Sequence, residues 1–445
     1  MIIVLGGGPA GRVAAMQLAL AGKEVTLVEK KGIGGQCLHH GCMVVCALND
    51  AARVVSAART LHTMGIADRV PEIDFPRLLE EMAAVQQKIA SILDAETKST
   101  GVEVWYGREG SLDGRSVTVD GEEVRAGAVI AATGSFPRIP DLPGIGLPGV
   151  YNPHTLSRMP GIPRDLLIIG GGIMAAEFAF IFREFGSRVH LAARSRFLKG
   201  LDPKLTDLAR KDLSGVDIIE QCEVRALEGP GRVAGAELEA PGGPRRVPCD
   251  AVFVAAGLVP NSGMLHGLQK GPDGRVLVDR CMRTSVPGIW ACGDVTGSPC
   301  LTPVARHEGM AAAASILGED APMDYRFIPQ SMNLSREYAF VSGDPDTAVS
   351  ISTPGPAGPG TFWEVPSGMT GLARVLVDPE TGAVKGVSTA GPAAGIIAAY
   401  QAFLMKMGVD VHAYSRFMEV HPMSDGVYPL ERYASQQLQN GHLKK

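Results

Sequence analysis

Two cysteines five residues apart, Cys37 and Cys42, stand in the run Gly34-Gly35-Gln36-Cys37-Leu38-His39-His40-Gly41-Cys42-Met43-Val44-Val45-Cys46, shortly after a glycine-rich turn. Thiols exchange with disulfides, so a pair beside a nucleotide-binding turn suits two-electron redox chemistry. Geometry restricts how the pair could meet. In an ideal helix, residues five apart lie on different faces, beyond the roughly 4.4–6.8 Å Cα separation of a disulfide. Gly41 must therefore help distort this turn if Cys37 and Cys42 bridge. The other five cysteines, Cys222, Cys249, Cys281, Cys292 and Cys300, show no paired spacing and read as small core residues of a reduced, cytosolic chain.

The elements that would hold this site are legible on either side of it. An apolar strand Ile2 to Leu5 runs into Gly6-Gly7-Gly8-Pro9-Ala10-Gly11, an alanine-rich helix through Leu20 and a second strand Glu24 to Val28 ending at Glu29. A second copy runs from Leu166–Ile169 through Gly170-Gly171-Gly172-Ile173-Met174-Ala175, a helix through Phe185 and a strand Arg188 to Ala192. From Gly6 to Glu29 and from Gly170 to Ala193 the offset is the same, 23 positions. A lone glycine motif is weak evidence. Strand before, helix after and a matched offset make it strong, because glycines let the backbone approach a pyrophosphate whose charge then sits at a helix N-terminus.

The two copies differ where they would meet a ribose. Glu29, followed by Lys30, can accept hydrogen bonds from a free 2′-hydroxyl, as in the adenosine of FAD. At the matching place the second copy has Ala193 and then Arg194, Ser195 and Arg196. A carboxylate would repel a 2′-phosphate and guanidinium groups would chelate it, so NADP(H) is expected over NAD(H).

Bulk properties narrow the class further. A chain of 445 residues exceeds one ordinary core, so two or three domains are expected. A formal charge of −5 gives no field for nucleic acid or anionic membrane. The N-terminus has no basic region and reads as a buried strand, and no apolar run reads as long enough to span a bilayer, so a cytoplasmic chain acting on small molecules is expected.

The cysteine run resembles the Gly-Gly-x-Cys-x-x-x-x-Gly-Cys signature of the class I pyridine nucleotide-disulfide oxidoreductases, the family of dihydrolipoamide dehydrogenase, glutathione reductase and mercuric reductase. The likeness extends over nearly the whole chain. Val129-Ile130-Ala131-Ala132-Thr133-Gly134 is similar to the family's crossing from the FAD to the nucleotide domain, and Val254-Ala255-Ala256-Gly257 to the return. Ile289 to Gly293-Asp294 resembles the second FAD motif, in which Asp294 would hold the ribityl chain. Leu301-Thr302-Pro303-Val304-Ala305, with Glu308-Gly309, resembles the segment beneath the flavin ring.

The resemblance implies an α/β fold: two Rossmann-like dinucleotide-binding domains and a C-terminal α+β dimerisation domain. The FAD domain would take residues 1–150 and 265–324, the NAD(P) domain 151–264 and the interface domain 325–445, with the Pro/Gly-rich stretch Thr353 to Gly360 as a hairpin loop. The cofactors implied are FAD, with Gly6, Gly8, Pro9, Ala10, Gly11, Gly35 and Gln36 against it, and NADP(H), with Gly170, Gly172 and Ala175. A homodimer is implied.

Carried over, Cys42 is the flavin-side thiol and Cys37 the interchange thiol. His421, before Pro422, matches the acid/base histidine that reaches the partner's cysteines, with Asp425 as the carboxylate, one position early. Cys46 stands where the family has lysine, while Glu177, the glutamate that lysine pairs with, is retained; a buried Glu177 without a cation should rise in pKa. Cys46 reads as a space-filler, a third redox thiol, or one of a metal cluster with Cys37, His39, His40 and Cys42. The spacing matches no familiar zinc pattern, so no metal is expected. The activity implied is an FAD-dependent NAD(P)H:disulfide oxidoreductase with a small disulfide as substrate. The alternatives are a flavin reductase serving a quinone, metal ion or protein partner, and a non-catalytic FAD redox sensor.

Overall fold

In the computed structural model the run Ile2–Leu5 is buried at every position, as a strand covered on both faces must be. The residues described are 1–297, 299–319, 321–343, 346–352, 371–418 and 426–443. The chain divides into two units: Met1–Ala47, Asp74–Gly161 and Val252–Asp324 form the first, and Leu48–Ile73, Ile162–Ala251 and Tyr325–Lys445 the second. In chain order the helices are α1 (Pro9–Leu20), α2 (Gly35–His39), α3 (Cys42–Thr63), α4 (Phe75–Ser99), α5 (Ile173–Glu184), α6 (Pro203–Asp212), α7 (Thr302–Ile316), α8 (Ala394–Lys406), α9 (Val411–Tyr414) and α10 (Tyr428–Gln439).

The first unit is built on a five-stranded parallel sheet in the order Ile289–Ala291, Ala128–Ala131, Ile2–Leu5, Val25–Glu29, Glu103–Tyr106. Its first strand is central because Ile3, Val4 and Leu5 offer no polar side to water, and both neighbours pair with it in parallel. Helices α1 and α7 pack closely because their contact residues are small. A Cβ on Gly309 would lie 2.3 Å from the carbonyl oxygen of Ala10, so only glycine fits there.

The second unit carries the other glycine turn. Strands Asp165–Ile169, Arg188–Ala193 and Asp217–Glu220 pair in parallel, and α5 follows Gly172. Its C-terminal part is an antiparallel sheet in the order Pro329–Asn333, Glu337–Val341, Val384–Ala390, Leu372–Val377, Val349–Ser352, with α8, α9 and α10 sharing its apolar core. Arg336 grips the Asp212 carboxylate with two nitrogens at 3.0 and 2.8 Å, and the Tyr338 hydroxyl donates to the same group at 2.7 Å, tying the end of α6 to this sheet. The parallel units and the α+β C-terminal part agree with the expected fold class.

Two expectations change. Cys300 is exposed, unlike the buried Cys222, Cys249, Cys281 and Cys292, because it lies in the turn leading into α7 and not on a core strand. Gly35–Thr63 is long and apolar enough, by length and composition, to cross a membrane, contrary to the expectation that no such run exists. That segment is broken at His40 and Gly41, and its Asn49 and Arg53 side chains donate to the backbone carbonyls of Asn333 and Leu334 at 2.8 and 2.7 Å, as in a helix packed within a protein. The stretch Thr353 to Gly360 lies outside the described residues.

Candidate active site

The first glycine turn is shaped to let a ligand approach its backbone. Gly8 caps α1 in an extended conformation, with Pro9 at the helix start where a missing N–H costs nothing. A second glycine pair comes against it: a Cβ on Gly35 would lie 2.7 Å from the Cα of Gly8. Gly35, which also has a φ of +56°, could not carry a side chain at that approach. Glu29 is buried at the end of its strand and accepts from Gly7 N at 2.6 Å through Oε2, and from Lys31 N and Gly32 N at 2.7 and 3.1 Å through Oε1. One lone-pair site on Oε2 is left for a ribose hydroxyl. Lys30 points elsewhere, its Nζ 2.8 Å from the Glu109 carboxylate on the surface.

The two crossing segments clasp one another. Thr133 Oγ1 donates to the Asn261 carbonyl at 2.6 Å, Asn261 N donates to the Gly134 carbonyl at 2.8 Å, and Arg138 N donates to the Gly257 carbonyl at 2.9 Å. Asp294, one residue past Gly293, receives the Ser135 hydroxyl at 2.7 Å; burial raises its pKa and that hydrogen bond opposes the rise. Glu308 is fully buried on α7 and accepts from Gly293 N at 2.7 Å, fixing the turn that carries Asp294. It was legible as part of a motif but not as a site residue.

The cysteine turn is bent as the spacing requires. Helix α2 carries Cys37 and ends at His40, whose φ of −142° leaves helical geometry, and α3 starts afresh at Cys42. The side chain of Gln86 on α4 holds this break by donating to the Leu38 carbonyl at 2.7 Å. Both cysteines are thiols here and share a hydrogen bond. The Thr302 hydroxyl at the start of α7 donates to Cys37 Sγ at 3.1 Å and lies 3.9 Å from Cys42 Sγ. Leu301 caps that helix, Pro303 sits in its first turn and Ala305 is buried, so Thr302 is the polar group this terminus turns toward the sulfurs.

The pair holds its charge unevenly. The hydrogen bond from Cys42 lowers Cys37 to about 6, against its burial and helped by Thr302 and the positive charge of Arg306; a small repulsion from Cys46 opposes it. Cys42, donor in that bond, is raised, with burial adding. In this arrangement Cys37 bears the thiolate, whereas the family resemblance puts it on Cys42 against the flavin; moving one proton along the shared bond interchanges the two. Cys300, though exposed as a residue, has its thiol pushed up to about 12 by burial and by Asp294 and Glu308.

A histidine pair adjoins this turn. The rings of His40 and His154 stand 4.3 Å apart, and His154 Nε2 lies 3.3 Å from Gln36 Oε1. Burial first, then His154, Lys31 and His39, push His40 down to about 4, and burial and Lys31 lower His154, so both rings are neutral at physiological pH. Among the described residues no group of three or more His, Cys, Asp or Glu side chains could hold a metal ion.

In the second unit Gly171 lies against Ala193, where an added Cβ would be 2.6 Å from the alanine Cβ, and Ala175 is fully buried on α5. The turn begins at Gly170, with φ +146°, and Gly172 caps α5. Arg194, Ser195 and Arg196 are exposed just past the strand. The nearby carboxylate of Glu220 accepts from Phe197 N at 2.5 Å and Arg210 at 2.6 Å, both through Oε1. Glu177 is buried and accepts from Asn333 N at 2.9 Å through Oε1, so a backbone amide serves the carboxylate where a lysine was expected to be missed. Cys46 is exposed on α3. His421 and Asp425 lie outside the described residues. Sequence reasoning missed Gln86, His154 and Arg306, which carry no motif of their own.

The family model for pyridine nucleotide-disulphide oxidoreductases matches residues 1–309. A dihydrolipoyl dehydrogenase of Geobacillus stearothermophilus is 28% identical over 437 residues, 94% of this chain and 93% of that one. Among solved structures, LpdA of Mycobacterium tuberculosis aligns with a TM-score of 0.85 at 25% identity, over 97% of this chain and 99% of that one. The HOCl-induced flavoprotein disulfide reductase RclA of Escherichia coli gives the same TM-score at 24% identity, over 97% and 99%.

Proposed function

The chain belongs to the pyridine nucleotide-disulphide oxidoreductases, FAD-dependent enzymes, and from that premise we propose that it uses NADPH to cycle Cys37 and Cys42 and so reduces a small disulfide. The observation that carries this reading is the cysteine pair itself, brought into hydrogen-bond contact by a broken helix and served by the Thr302 hydroxyl. Residues of the first unit fit FAD: the Gly8–Gly35 approach admits a pyrophosphate, Glu29 keeps an acceptor site, and Asp294 is half-buried beside Ser135. When bound, the flavin carries electrons from the nicotinamide to the cysteines. Cys37, the lower in pKa, attacks the substrate, and Cys42 resolves the mixed disulfide.

The same reading assigns residues 1–150 and 265–324 to FAD, 151–264 to NADP(H) and 325–445 to pairing two subunits. His421, with Asp425, of one subunit would then move protons at the other's cysteines. A stripe of exposed apolar residues on α8 and its C-cap, Ile396, Phe403 and Met407, supports such pairing. Arg194 and Arg196 would hold the 2′-phosphate.

Anaerobic rapid mixing tests the reading. Flavin reduction should be faster with NADPH than with NADH, and the reduced enzyme should be reoxidised by a disulfide. Arg194→Ala and Arg196→Ala should each weaken NADPH by roughly ten- to a hundredfold, the worth of one charge-assisted hydrogen bond, and leave NADH unchanged. Equal or faster reduction by NADH refutes the cofactor assignment; reduction without disulfide turnover refutes the acceptor.

A further inference from the structure

Helix α7 presents more than Thr302 to the cysteine turn. Arg306 follows Thr302 by four residues on the same helix, hence on the same face about one turn along, about 6 Å further down the axis. Thr302 touches Cys37 Sγ at 3.1 Å, so Arg306 lies one turn beyond the helix position that contacts that sulfur. Its positive charge acts on Cys37. Arg306 is exposed, and among the described residues no carboxylate pairs with it. Most arginines of this unit that face a structural task have found one: Arg12 is engaged by Thr97 and Glu96, and Arg280 by the Met323 carbonyl. Cys37 is half-buried and Cys42 exposed, so a disulfide reaching them passes beside an uncommitted cation.

Resting on the disulfide reductase reading above, we propose that Arg306 selects the substrate: a small disulfide bearing a carboxylate or other anion a few bonds from the attacked sulfur. The Cys37 thiolate attacks the near sulfur, the Cys37–substrate S–S bond forms as the substrate S–S bond breaks, and the first thiol leaves as a thiolate and takes a proton from solvent. Cys42, giving up its proton, then attacks Cys37 Sγ, forming the Cys37–Cys42 disulfide and releasing the second thiolate. The substrate gains two electrons and the cysteine pair loses two. Arg306 pairs with the anionic arm throughout, fixing the sulfur at Cys37. The guanidinium also favours the thiolate, but that effect is common to all disulfides and cancels in a comparison between them.

Three disulfides with the same two-carbon arms separate these effects: 3,3′-dithiodipropionate, bis(2-hydroxyethyl) disulfide and cystamine, which are anionic, neutral and cationic. With the holoenzyme and NADPH, kcat/KM should fall in that order, with about tenfold between the anionic and neutral substrates. Arg306→Gln should bring that ratio close to one while retaining turnover of the neutral disulfide, and Arg306→Lys should restore part of it. Raising the ionic strength should shrink the ratio in the unaltered enzyme only. If the neutral disulfide is turned over and Arg306→Gln leaves the ratio unchanged, the selection by Arg306 is wrong and the reductase reading stands. If none of the three is reduced, the reductase reading falls and this inference with it.

Discussion

Replacing Thr302 by alanine removes the hydroxyl that donates to Cys37 Sγ at 3.1 Å and leaves the helix start, capped by Leu301 and Pro303, intact. A hydrogen bond to a charged group contributes roughly 1.5–3 kcal/mol. One pH unit of titration corresponds to about 1.4 kcal/mol. Cys37 is partly exposed, so the lower end of that range applies, and its titration midpoint should rise from about 6 by about one pH unit. The assay is alkylation of the phosphine-reduced enzyme by iodoacetamide, with the Cys37 peptide quantified by mass spectrometry at successive pH values. Well below the midpoint, labelling of Cys37 should slow about threefold, the tenfold smaller thiolate fraction being partly offset by the greater nucleophilicity of the more basic thiolate. At high pH it should become about threefold faster, because a more basic thiolate is more nucleophilic, with a Brønsted slope of about 0.4–0.5. Crossing profiles distinguish a lost hydrogen bond from local unfolding, which would speed labelling at every pH. An unmoved midpoint, or labelling of Cys42 ahead of Cys37 in the unaltered enzyme, would refute the assignment of the thiolate.

Two further outcomes follow from packing and burial. Gly309→Ala should destabilise the protein by about 1–3 kcal/mol, read as a lower denaturation midpoint at unchanged slope, because its Cβ meets the Ala10 carbonyl oxygen at 2.3 Å and forces α1 from α7. Glu431 on α10 is buried, with no cation paired to it among the described residues; burial holds its pKa well above the ordinary carboxylate range, with a smaller opposing effect of Gln401. A raised folded pKa contributes stability below the unfolded value that is lost as pH rises through the folded one. Glu431→Gln should therefore gain in Tm over the parent from about pH 4.5 upward, and a pH-independent Tm difference would count against a neutral Glu431.

The two glycine turns were legible because their requirement is local. A Cβ on Gly35 would come within 2.7 Å of the Gly8 Cα, so that position tolerates one residue type, and the constraint is written at the position itself. The same holds for the strand Ile2–Leu5, whose unbroken apolar run allows only burial on both faces. The membrane-length segment Gly35–Thr63 was misread for the opposite reason. Its apolar character is spread over two helices, and the break between them depends on Gln86 on α4, a partner 48 residues from Leu38.

What decides the chemistry was written non-locally. The sulfur of Cys37 and the hydroxyl of Thr302 are 265 residues apart in sequence, and neither residue type announces the other. Cys37 and Cys42 looked interchangeable as nucleophiles from their spacing, with the family likeness alone putting the charge on Cys42. The difference between them comes first from the hydrogen bond that Cys42 donates to Cys37, with the Thr302 hydrogen bond and the charge of Arg306 adding to it at Cys37 from α7. Glu177 makes the same point from the other side. Its retention without the usual lysine suggested a carboxylate stripped of its partner, yet the Asn333 backbone amide supplies a donor, and a backbone donor leaves no trace in residue type. Cys46, in the lysine's place, acts on the pair in its turn, its repulsion reaching Cys37.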